Sequence, residues 1–458
     1  MLVFISDLHL TDGSSGTTVR ADAFRILRNQ LHILADAASW RRDGTYRPIE
    51  ELHLVLLGDI LDVIRSRQWT TPGDAVKPWS DIGSPAFSKK IASITQAIVK
   101  QNKESLDILK SLSVGHSVTL PRKPGPPGTS GLEAGQPKAH RIPVQVRIHY
   151  QVGNHDWFYH LPSTAFNEIR AGIVDAMGLA SDPNSPFPHD PRESAALDTV
   201  YREHAVCARH GDVYDPLNCE HDRDGSSLGD AIVTELLNRF PAEVEAQLQG
   251  QLPKDCVDGL KEIDNVRPLL LIPVWVDGLL RRTCSSPTQV KAVKKIWDEL
   301  ADQFLAVPFV QKRDSPWNPF DDVDKLEYAL KFSKGVSFQA IGRLAAWAQE
   351  RTHGSEAPFS ANALREQAFR SRTAKFIVYG HTHRQEVVPL DLTFSGGGAF
   401  QQFYLNAGTW RRVHELAQST PSDQEFVGYD VMSYVLVYKD DERRGRPFET
   451  WTGSLGQG

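Results

Sequence analysis

The chain has 458 residues, of which 40% are hydrophobic and 24% are charged, and its formal net charge is −6. That length suits one large α/β domain with insertions or two domains. The negative net charge excludes an overall basic field for gripping nucleic acid, although it leaves room for a local basic groove.

The cysteine pattern and the absence of targeting signals in the sequence predict a cytoplasmic protein. The four cysteines are scattered without a CxxC pair, which argues against a zinc ribbon or a disulfide framework and favours a reducing, cytoplasmic location. Asp7 and His9 interrupt the first apolar run, so no signal peptide is predicted. The most apolar internal stretch, RPLLLIPVWVDGLL, is too short to cross a bilayer and contains Asp277, so no membrane span is predicted.

Short apolar runs rich in Val, Ile and Leu recur along the chain, and each ends in a polar cluster. Such runs are typical of strands that are buried on both faces. In chain order, they lead to Asp7 (LVFIS), Asp59 (LHLVLLGDILD), Asn154 and His155 (VQVRIHYQVGNHD), His210 (TVYREHAVCARHGD), and His381 and His383 (KFIVYGHTH).

Helical patterns lie between the first of these runs. The segment RADAFRILRNQLHILADAASW places Phe24, Leu27, Leu31 and Leu34 on one stripe, and the span 86–113 repeats the pattern. Alternation of strand and helix predicts an α/β fold with a layered sheet.

Two regions interrupt this alternation. Residues 121–143 are dense in Pro and Gly and are predicted to form a flexible surface insertion. Residues 213–370 carry mostly helical patterns between two motif-bearing strands. We therefore predict a core made of residues 1–212 and 371–458, with residues 213–370 as an inserted helical cap. The segments after His383 are β-like.

Taken singly, each polar cluster also has a structural explanation. An Asp-x-His pair at a strand end is usually a turn feature, GDILD can be a turn followed by a helix N-cap, and GNHD can be a turn with positive φ. Taken together they predict a site, because the carboxyl ends of strands in a parallel or mixed sheet meet at one edge. The side chains expected to meet there are Asp7, His9, Asp59, Asn154, His210, His381 and His383.

This set of side chains predicts a metal site. Without a cation, so many polar groups would be costly to bury together. Mixed carboxylate and imidazole ligands suit Mn, Fe, Zn or Ni better than Mg or Ca.

The ordered blocks SDLHL, GDILD, GNHDW, RHGD and GHTHR resemble those of the calcineurin-like metallophosphoesterase superfamily. The resemblance implies a four-layer αββα sandwich with the site at the strand ends. It also implies two divalent metal ions, with Mn as the first expectation and Fe, Zn or Ni as alternatives, and a phosphoric ester hydrolase that activates a bridging water.

The same resemblance assigns roles to individual residues. Asp7, His9 and His383 look like ligands of one metal, and Asn154, His210 and His381 look like ligands of the other. Asp59 looks like the bridging carboxylate, which has two oxygens to share between the cations.

His155 is similar to the non-ligand histidine of the superfamily, which faces the scissile phosphate. Asn154 is also expected to contact the substrate. Asp62 and Asp156 are candidates for supporting carboxylates that orient imidazoles, and a plain turn or capping role is equally open for both. Arg384, directly after the last ligand pair, is our candidate for a substrate-phosphate contact.

Within the superfamily, ISDLHL, the HGD that is followed by Asp215, and GHTHR look like the branch that contains the UDP-2,3-diacylglucosamine pyrophosphohydrolases. This chain is much longer, and it has His155 where that branch commonly has Arg. We therefore transfer the metal chemistry and not the lipid substrate.

The predicted substrate is a phosphodiester or pyrophosphate, expected to be that of a nucleotide or nucleic acid. A phosphomonoesterase, including a protein phosphatase, is the second enzyme hypothesis. A non-catalytic scaffold that binds a protein partner through its helical insertion is the hypothesis from a different class.

Overall fold

Helices alternate with parallel and mixed sheets in this protein, so it belongs to the α/β class that the sequence predicted. The computed structural model describes residues 1–124, 141–220, 222–267, 271–313, 330, 358–395, 398–420 and 423–455.

The strands are β1 Leu2–Ile5, β2 Glu51–Leu57, β3 Thr119–Pro121, β4 Arg141–Pro143, β5 Gln145–Gln151, β6 Val206–Ala208, β7 Val266–Arg267, β8 Phe376–Tyr379, β9 Gln385–Ser395, β10 Gly398–Ala407, β11 Arg412–Thr420, β12 Asp423–Val437 and β13 Phe448–Leu455.

The α-helices are α1 Ala21–Ala38, α2 Pro85–Gln101, α3 Lys103–Ser113, α4 Thr164–Met177, α5 Ala195–Glu203, α6 Leu228–Ile232, α7 Arg239–Gln247, α8 Lys254–Leu260, α9 Ile272–Thr283, α10 Pro287–Leu305, α11 Pro308–Gln311 and α12 Gln367–Arg370. Short 3₁₀ helices span Arg67–Thr70, Trp157–His160, Pro191–Glu193, Asp212–Tyr214, Ile263–Asn265, Phe359–Arg365 and Glu442–Gly445, and a π-helical turn spans Val233–Leu237.

Two sheets carry the motifs. The larger one has seven strands in the order β5-β2-β1-β12-β11-β7, with β13 also paired to β12. Its strands β1, β2 and β5 are parallel neighbours, whereas β12 runs antiparallel to β1. The smaller sheet has the order β6-β8-β10-β9, in which β6, β8 and β10 are parallel.

The two sheets pack face to face through a core of buried apolar side chains. Each strand contributes alternate residues to this core, as period-2 geometry requires. Its members from the strands include Leu2, Phe4, Val55, Leu57, Val206, Ala208, Phe376, Val378, Leu405, Ala407, Val435 and Val437. Burial of each Val, Leu or Phe side chain in this set stabilises the fold by about 1.5–3 kcal/mol, so this contact holds the two sheets together.

Helices cover the outer faces of both sheets. Alternate residues of β1, such as Val3 and Ile5, pack in one core with Phe24 and Leu27 of α1. On the smaller sheet, Ile377 packs in a core with Phe369 of α12. The predicted stripe of α1 is confirmed, except that Leu34 is only partly buried.

The helical pattern predicted over 86–113 is two helices that meet at Asn102. The Asn102 side-chain amide donates to the backbone oxygens of Thr11 and Ile98, and its oxygen accepts from Thr18 Oγ1 over 2.6 Å. An Asn side chain that competes for backbone groups in this way disfavours a helix interior. The break also ties the helices to the loop that follows β1.

Three sequence predictions need correction here. The TVYRE part of the run before His210 lies in α5, and only Val206–Ala208 form a strand. The predicted flexible insertion at 121–143 begins and ends in strands, since β3 pairs with β4, and residues 125–140 lie outside the described residues. The predicted helical insertion contains the strand β7, which joins the larger sheet beside β11.

Within 213–370, residues 314–357 are outside the described part of the chain, apart from Leu330. The described helices around them bury several aromatic side chains, including Trp275, Trp297 and Phe304. A search for membrane spans over the described residues found no helix with the length and apolarity to cross a bilayer.

Candidate metal centre

All five motifs lie at carboxyl ends of strands, but these strands belong to two sheets. Asp7, Asp59 and Asn154 follow β1, β2 and β5 of the larger sheet, whereas His210 and His381 follow β6 and β8 of the smaller one. The sequence predicted a single sheet edge. In the structure, the site lies where the carboxyl edges of two packed sheets meet.

One half of the centre is formed by Asp7, His9 and His383. The Nε2 atoms of His9 and His383 lie 3.0 Å apart. Asp7 Oδ1 lies 3.2 Å from His383 Nε2 and 3.8 Å from His9 Nε2. These three ligand atoms are close enough to hold one metal ion.

The other half is formed by Asn154, His210 and His381. Asn154 Oδ1 lies 3.2 Å from His210 Nε2 and 3.1 Å from His381 Nδ1. The two imidazole rings meet edge to face, with centroids 5.2 Å apart. Asp59, His210 and His381 form a second group that could hold a metal ion.

Asp59 lies between the halves. Its Oδ2 is 3.7 Å from His9 Nε2 and 3.2 Å from His210 Nε2. Its Oδ1 accepts the backbone N–H of His155 over 2.8 Å. One oxygen, Oδ2, thus faces both halves, while Oδ1 is engaged by the backbone of His155.

Backbone strain concentrates at the same positions. Five predicted ligands have positive φ although none is glycine: Asp7 (54°), His9 (44°), Asp59 (54°), His381 (69°) and His383 (60°). Each such residue costs on the order of 1–3 kcal/mol and persists only where the surroundings hold it in place. Such strain is concentrated at functional sites, so the observation supports a functional role for this edge.

Motif glycines let the backbone approach the cluster. A Cβ at Gly153 would lie 2.7 Å from the His210 ring, and a Cβ at Gly380 would lie 2.6 Å from Asp7 Oδ2. Since real Cβ atoms do not come that close, these positions exclude every residue but glycine without a local shift.

Three of the four histidines predicted as ligands have their outer nitrogen engaged by an oxygen. His9 Nδ1 lies 2.8 Å from Asp62 Oδ2, His210 Nδ1 donates to the Leu57 carbonyl over 2.9 Å, and His381 Nε2 lies 2.9 Å from Asp215 Oδ2. Each acceptor orients the ring so that the other nitrogen points inward, where its lone pair could bind a cation in place of a proton.

His383 is the exception. Its Nδ1 faces the Nη2 atom of Arg267 at 3.0 Å. Sequence reasoning missed both Arg267 and the orienting role of Asp215. Asp215 was noticed only within the branch resemblance, and no sequence signal placed Arg267, 116 residues away from His383, at the site.

The charges of the cluster are strongly coupled. Burial raises the pKa of the Asp7 carboxyl, but His210 and His383 outweigh it and hold that pKa well below its usual range. Burial lowers the pKa of His210, but Asp59 and Asp7 raise it well above its usual value. Burial and Arg267 lower the pKa of His383 to about 3.

The donor set fits divalent cations. Asp7 Oδ1 is buried and has no hydrogen-bond partner among the described residues. The inward-facing nitrogens of His9 and His383 are opposed with no acceptor between them. A cation would satisfy both the orphaned oxygen and the facing lone pairs.

His155 and its neighbours lie beside the cluster. His155 Nδ1 is 2.8 Å from Asp62 Oδ1, and its ring meets that of His9 edge to face at 4.7 Å. Burial lowers the pKa of His155, yet Asp62 and Asp59 outweigh it and raise the pKa to about 10. Asp62 thus contacts two imidazoles, which matches the orienting alternative.

Asp156 and Arg384 are placed differently. Asp156 accepts the N–H groups of Gly153 and Ile60 and the Tyr150 hydroxyl, so among the described contacts it supports the loops and orients no imidazole. Burial and Asp59 raise the pKa of Asp156 to about 6.

Arg384 is exposed, and its backbone N–H donates to Thr382 Oγ1.

Comparison with known proteins returned no matching protein-family model and no curated protein that matches this sequence. The fold and the site therefore define an α/β protein with a cluster of buried His and Asp side chains that could hold metal ions.

Proposed function

We propose that this protein is a dinuclear metal-dependent phosphoesterase of the calcineurin-like metallophosphoesterase type. Its proposed reaction is hydrolysis of a phosphodiester or pyrophosphate bond, with a nucleotide or nucleic acid as the substrate class. The observation that carries the proposal is that seven side chains from strand ends of two sheets meet at one edge, where Asp59 Oδ2 faces His9 in one half and His210 in the other.

The fold supports the same proposal. Two sheets pack through an apolar core, and helices lie on their outer faces. This is the layer order that the proposed αββα sandwich requires. The five positive φ values at ligand positions add a second, independent sign that this edge is functional.

Two bound divalent ions would supply charge neutralisation for the phosphate and an activated water as the nucleophile. The chain's own residues hold and orient that centre. Asp7, His9 and His383 would hold one ion, Asn154, His210 and His381 the other, and Asp59 both. Asp62, Asp215 and the Leu57 carbonyl keep the imidazole lone pairs pointing inward.

His155 is the proposed proton donor. Its Nδ1 is held by Asp62, which leaves Nε2 without a hydrogen-bond partner among the described residues and able to face a substrate oxygen. Two cations would oppose protonation of His155, whereas Asp62 continues to favour it. A protonated His155 can stabilise charge on the phosphoryl oxygens or protonate the leaving oxygen.

The test combines metal analysis with a substrate screen. Purified protein is loaded with Mn²⁺, its metal content is measured, and turnover is followed on bis-p-nitrophenyl phosphate, p-nitrophenyl phosphate, cyclic nucleotides, nucleotide pyrophosphates, DNA and RNA. We expect two ions per chain and hydrolysis of a diester or pyrophosphate. Hydrolysis of the monoester alone would favour a phosphomonoesterase, and two bound ions without any hydrolysis would favour the scaffold.

A further inference from the structure

Arg267 enters the candidate metal centre from the predicted helical insertion. It is the last residue of β7, which pairs in parallel with β11 through Val266 and His414. Its Nη1 donates to the backbone oxygens of Asp264 (2.6 Å) and Val266 (3.0 Å). Because these two bonds involve backbone carbonyls, one edge of the guanidinium is tethered whatever the site contains.

The other edge of the guanidinium has a poor partner. Arg267 Nη2 lies 3.0 Å from His383 Nδ1 and 3.3 Å from His383 Nε2. Arg267 has no ion pair with a carboxylate among the described contacts. The nearby Asp264 carboxylate is paired instead with the buried Arg411 at 2.9 Å and faces Arg65 at 3.8 Å.

A metal ion bound to His383 would be incompatible with the hydrogen bond from Arg267 to His383 Nδ1. His383 Nε2 points to the position between Asp7 and His9, so its lone pair is the one that would bind an ion. The proton of a neutral imidazole must then lie on Nδ1, where it would meet an N–H of Arg267. Two donors cannot share one hydrogen bond.

Charge acts in the same direction. The carboxylates of Asp264, Asp7 and Asp59 attract the Arg267 guanidinium. Two divalent ions would cancel the attraction of Asp7 and Asp59. The guanidinium of Arg267 and the cations would then repel each other, and an anion bound between the guanidinium and the cations would offset this repulsion.

We propose that Arg267 binds the substrate's phosphoryl oxygens when the centre holds its metal ions. The Nη2 edge would donate to the phosphoryl group, while Nη1 stays on its two backbone carbonyls. A guanidinium presents parallel N–H donors that match phosphate oxygens. This inference rests on the proposed function.

The assignment replaces Arg384 as the main phosphate contact. Arg384 is exposed, whereas Arg267 is partly exposed and lies against a ligand histidine. The insertion would thereby contribute directly to phosphate recognition through β7, since this strand is anchored in the sheet.

The experiment compares wild type with Arg267→Gln and Arg267→Lys, with Arg282→Gln as the control. Arg282 is an exposed arginine of α9, so its replacement removes the same charge at a distance from the cluster. Isothermal titration measures Mn²⁺ binding to each metal-free protein and then inorganic phosphate binding to each Mn²⁺-loaded protein.

In Arg267→Gln, phosphate affinity should fall roughly 10- to 100-fold, the usual worth of hydrogen bonds to a charged group. Mn²⁺ affinity should stay equal or rise, because a positive charge beside His383 is gone. Arg267→Lys should fall between wild type and Gln, and Arg282→Gln should match wild type in both titrations.

Other outcomes overturn the inference separately from the proposed function. Unchanged phosphate affinity in Arg267→Gln, with wild type binding both Mn²⁺ and phosphate, would overturn the inference alone. Joint loss of Mn²⁺ and phosphate binding in both variants would show that Arg267 only holds the site together, which also overturns it. A wild type that binds no Mn²⁺ would overturn the proposed function and this inference with it.

Discussion

Two clusters of His and Asp meet the same distance requirement for a metal ion, and their hydrogen bonds distinguish them. The central cluster surrounds Asp59. The peripheral cluster joins His160, His189 and Asp224, and Glu193 lies beside it.

In the peripheral cluster, neither histidine offers a lone pair. His160 Nδ1 lies 2.6 Å from Asp224 and its Nε2 lies 3.5 Å from Glu193, so both nitrogens face carboxylates. Arg223 Nη2 lies 2.7 Å from His189 Nδ1 and donates to it, which leaves the proton of His189 on the buried Nε2.

In the central cluster, by contrast, His9, His210 and His381 each present an inward nitrogen, and Asp7 Oδ1 is unpartnered among the described residues. Arg267, the arginine beside the central cluster, has no ion pair with a carboxylate among the described residues. In the peripheral cluster, by comparison, Arg223 donates to both Asp212 oxygens at 3.0 Å. Proximity of His and Asp is therefore insufficient for a metal site, because proton positions decide whether the nitrogens can act as ligands.

The largest expected effect comes from the bridging position. Asp59→Asn should lower Mn²⁺ occupancy and reduce turnover by roughly a hundredfold or more, because metal ions supply several kcal/mol of transition-state stabilisation. Metal analysis and kcat check this. The matched control is Asp224→Asn in the peripheral cluster, which should retain both ions. If Asp224→Asn lost Mn²⁺ and Asp59→Asn did not, the metal site would be the peripheral cluster and not the central one.

His155→Ala separates chemistry from metal binding. We expect both ions to remain bound while kcat falls by roughly 10²–10⁴, the usual contribution of a general acid or base. Metal content and steady-state kinetics are measured together. His160→Ala, five positions along the chain in the peripheral cluster, should turn over as wild type does. Normal turnover in His155→Ala would remove His155 from the mechanism.

Asp62 tests the orienting hydrogen bonds. Asp62→Asn weakens the contacts to His9 Nδ1 and His155 Nδ1 without removing a proposed ligand. We expect Mn²⁺ affinity to fall roughly 10- to 100-fold, as for other residues that orient metal ligands. Titration of the metal-free variant measures this. Wild-type affinity would mean that packing alone holds His9 in place.

Gly380 tests close packing at the central cluster. Gly380→Ala forces a Cβ against Ser6 and Asp7 and should lower the free energy of unfolding by about 1–3 kcal/mol. The control is Gly172→Ala in α4, where a Cβ meets nothing within 4 Å and the stability should rise by about 0.4–1 kcal/mol. Urea denaturation measures both, and equal effects would contradict the steric argument.

The smallest effect concerns pH and the peripheral cluster. Burial lowers the pKa of His160, but the hydrogen bonds to Asp224 and Glu193 raise it to about 9. A raised pKa means that the stabilisation is complete below the unfolded value, about 6.5, and is lost as pH rises through 9. His160→Gln should therefore cost on the order of 1 kcal/mol at pH 6 and almost nothing near pH 10. A difference that grows with pH would refute the assignment.

Much of the fold could be predicted locally. The runs before Asp7, Asp59 and Asn154 are strands β1, β2 and β5, because consecutive Val, Ile and Leu residues need burial on both faces. The β-like segments after His383 are strands as well. The break at Asn102 was missed because it depends on contacts with Thr11 and Thr18 from a distant segment. The TVYRE helix was missed although Ser194 caps its start.

The candidate site was predictable as a set of residues and not as a geometry. Polar residues at strand ends indicated which side chains would meet. Their pairing into two halves depends on the contact between two sheets, which no apolar run encodes. The roles of Asp62 and Asp156 were open in sequence and diverged in the structure, since Asp62 contacts imidazoles and Asp156 contacts backbone amides.

The sequence by itself determined which chemical groups stand at the strand ends, because hydrophobic runs and their terminating residues are local properties of the chain. Only the tertiary structure decided which nitrogen of each histidine faces inward, that a single oxygen of Asp59 faces both halves, and that Arg267 reaches His383. The physical reason is that proton positions and contact distances depend on groups from distant segments, which become neighbours only when the two sheets pack.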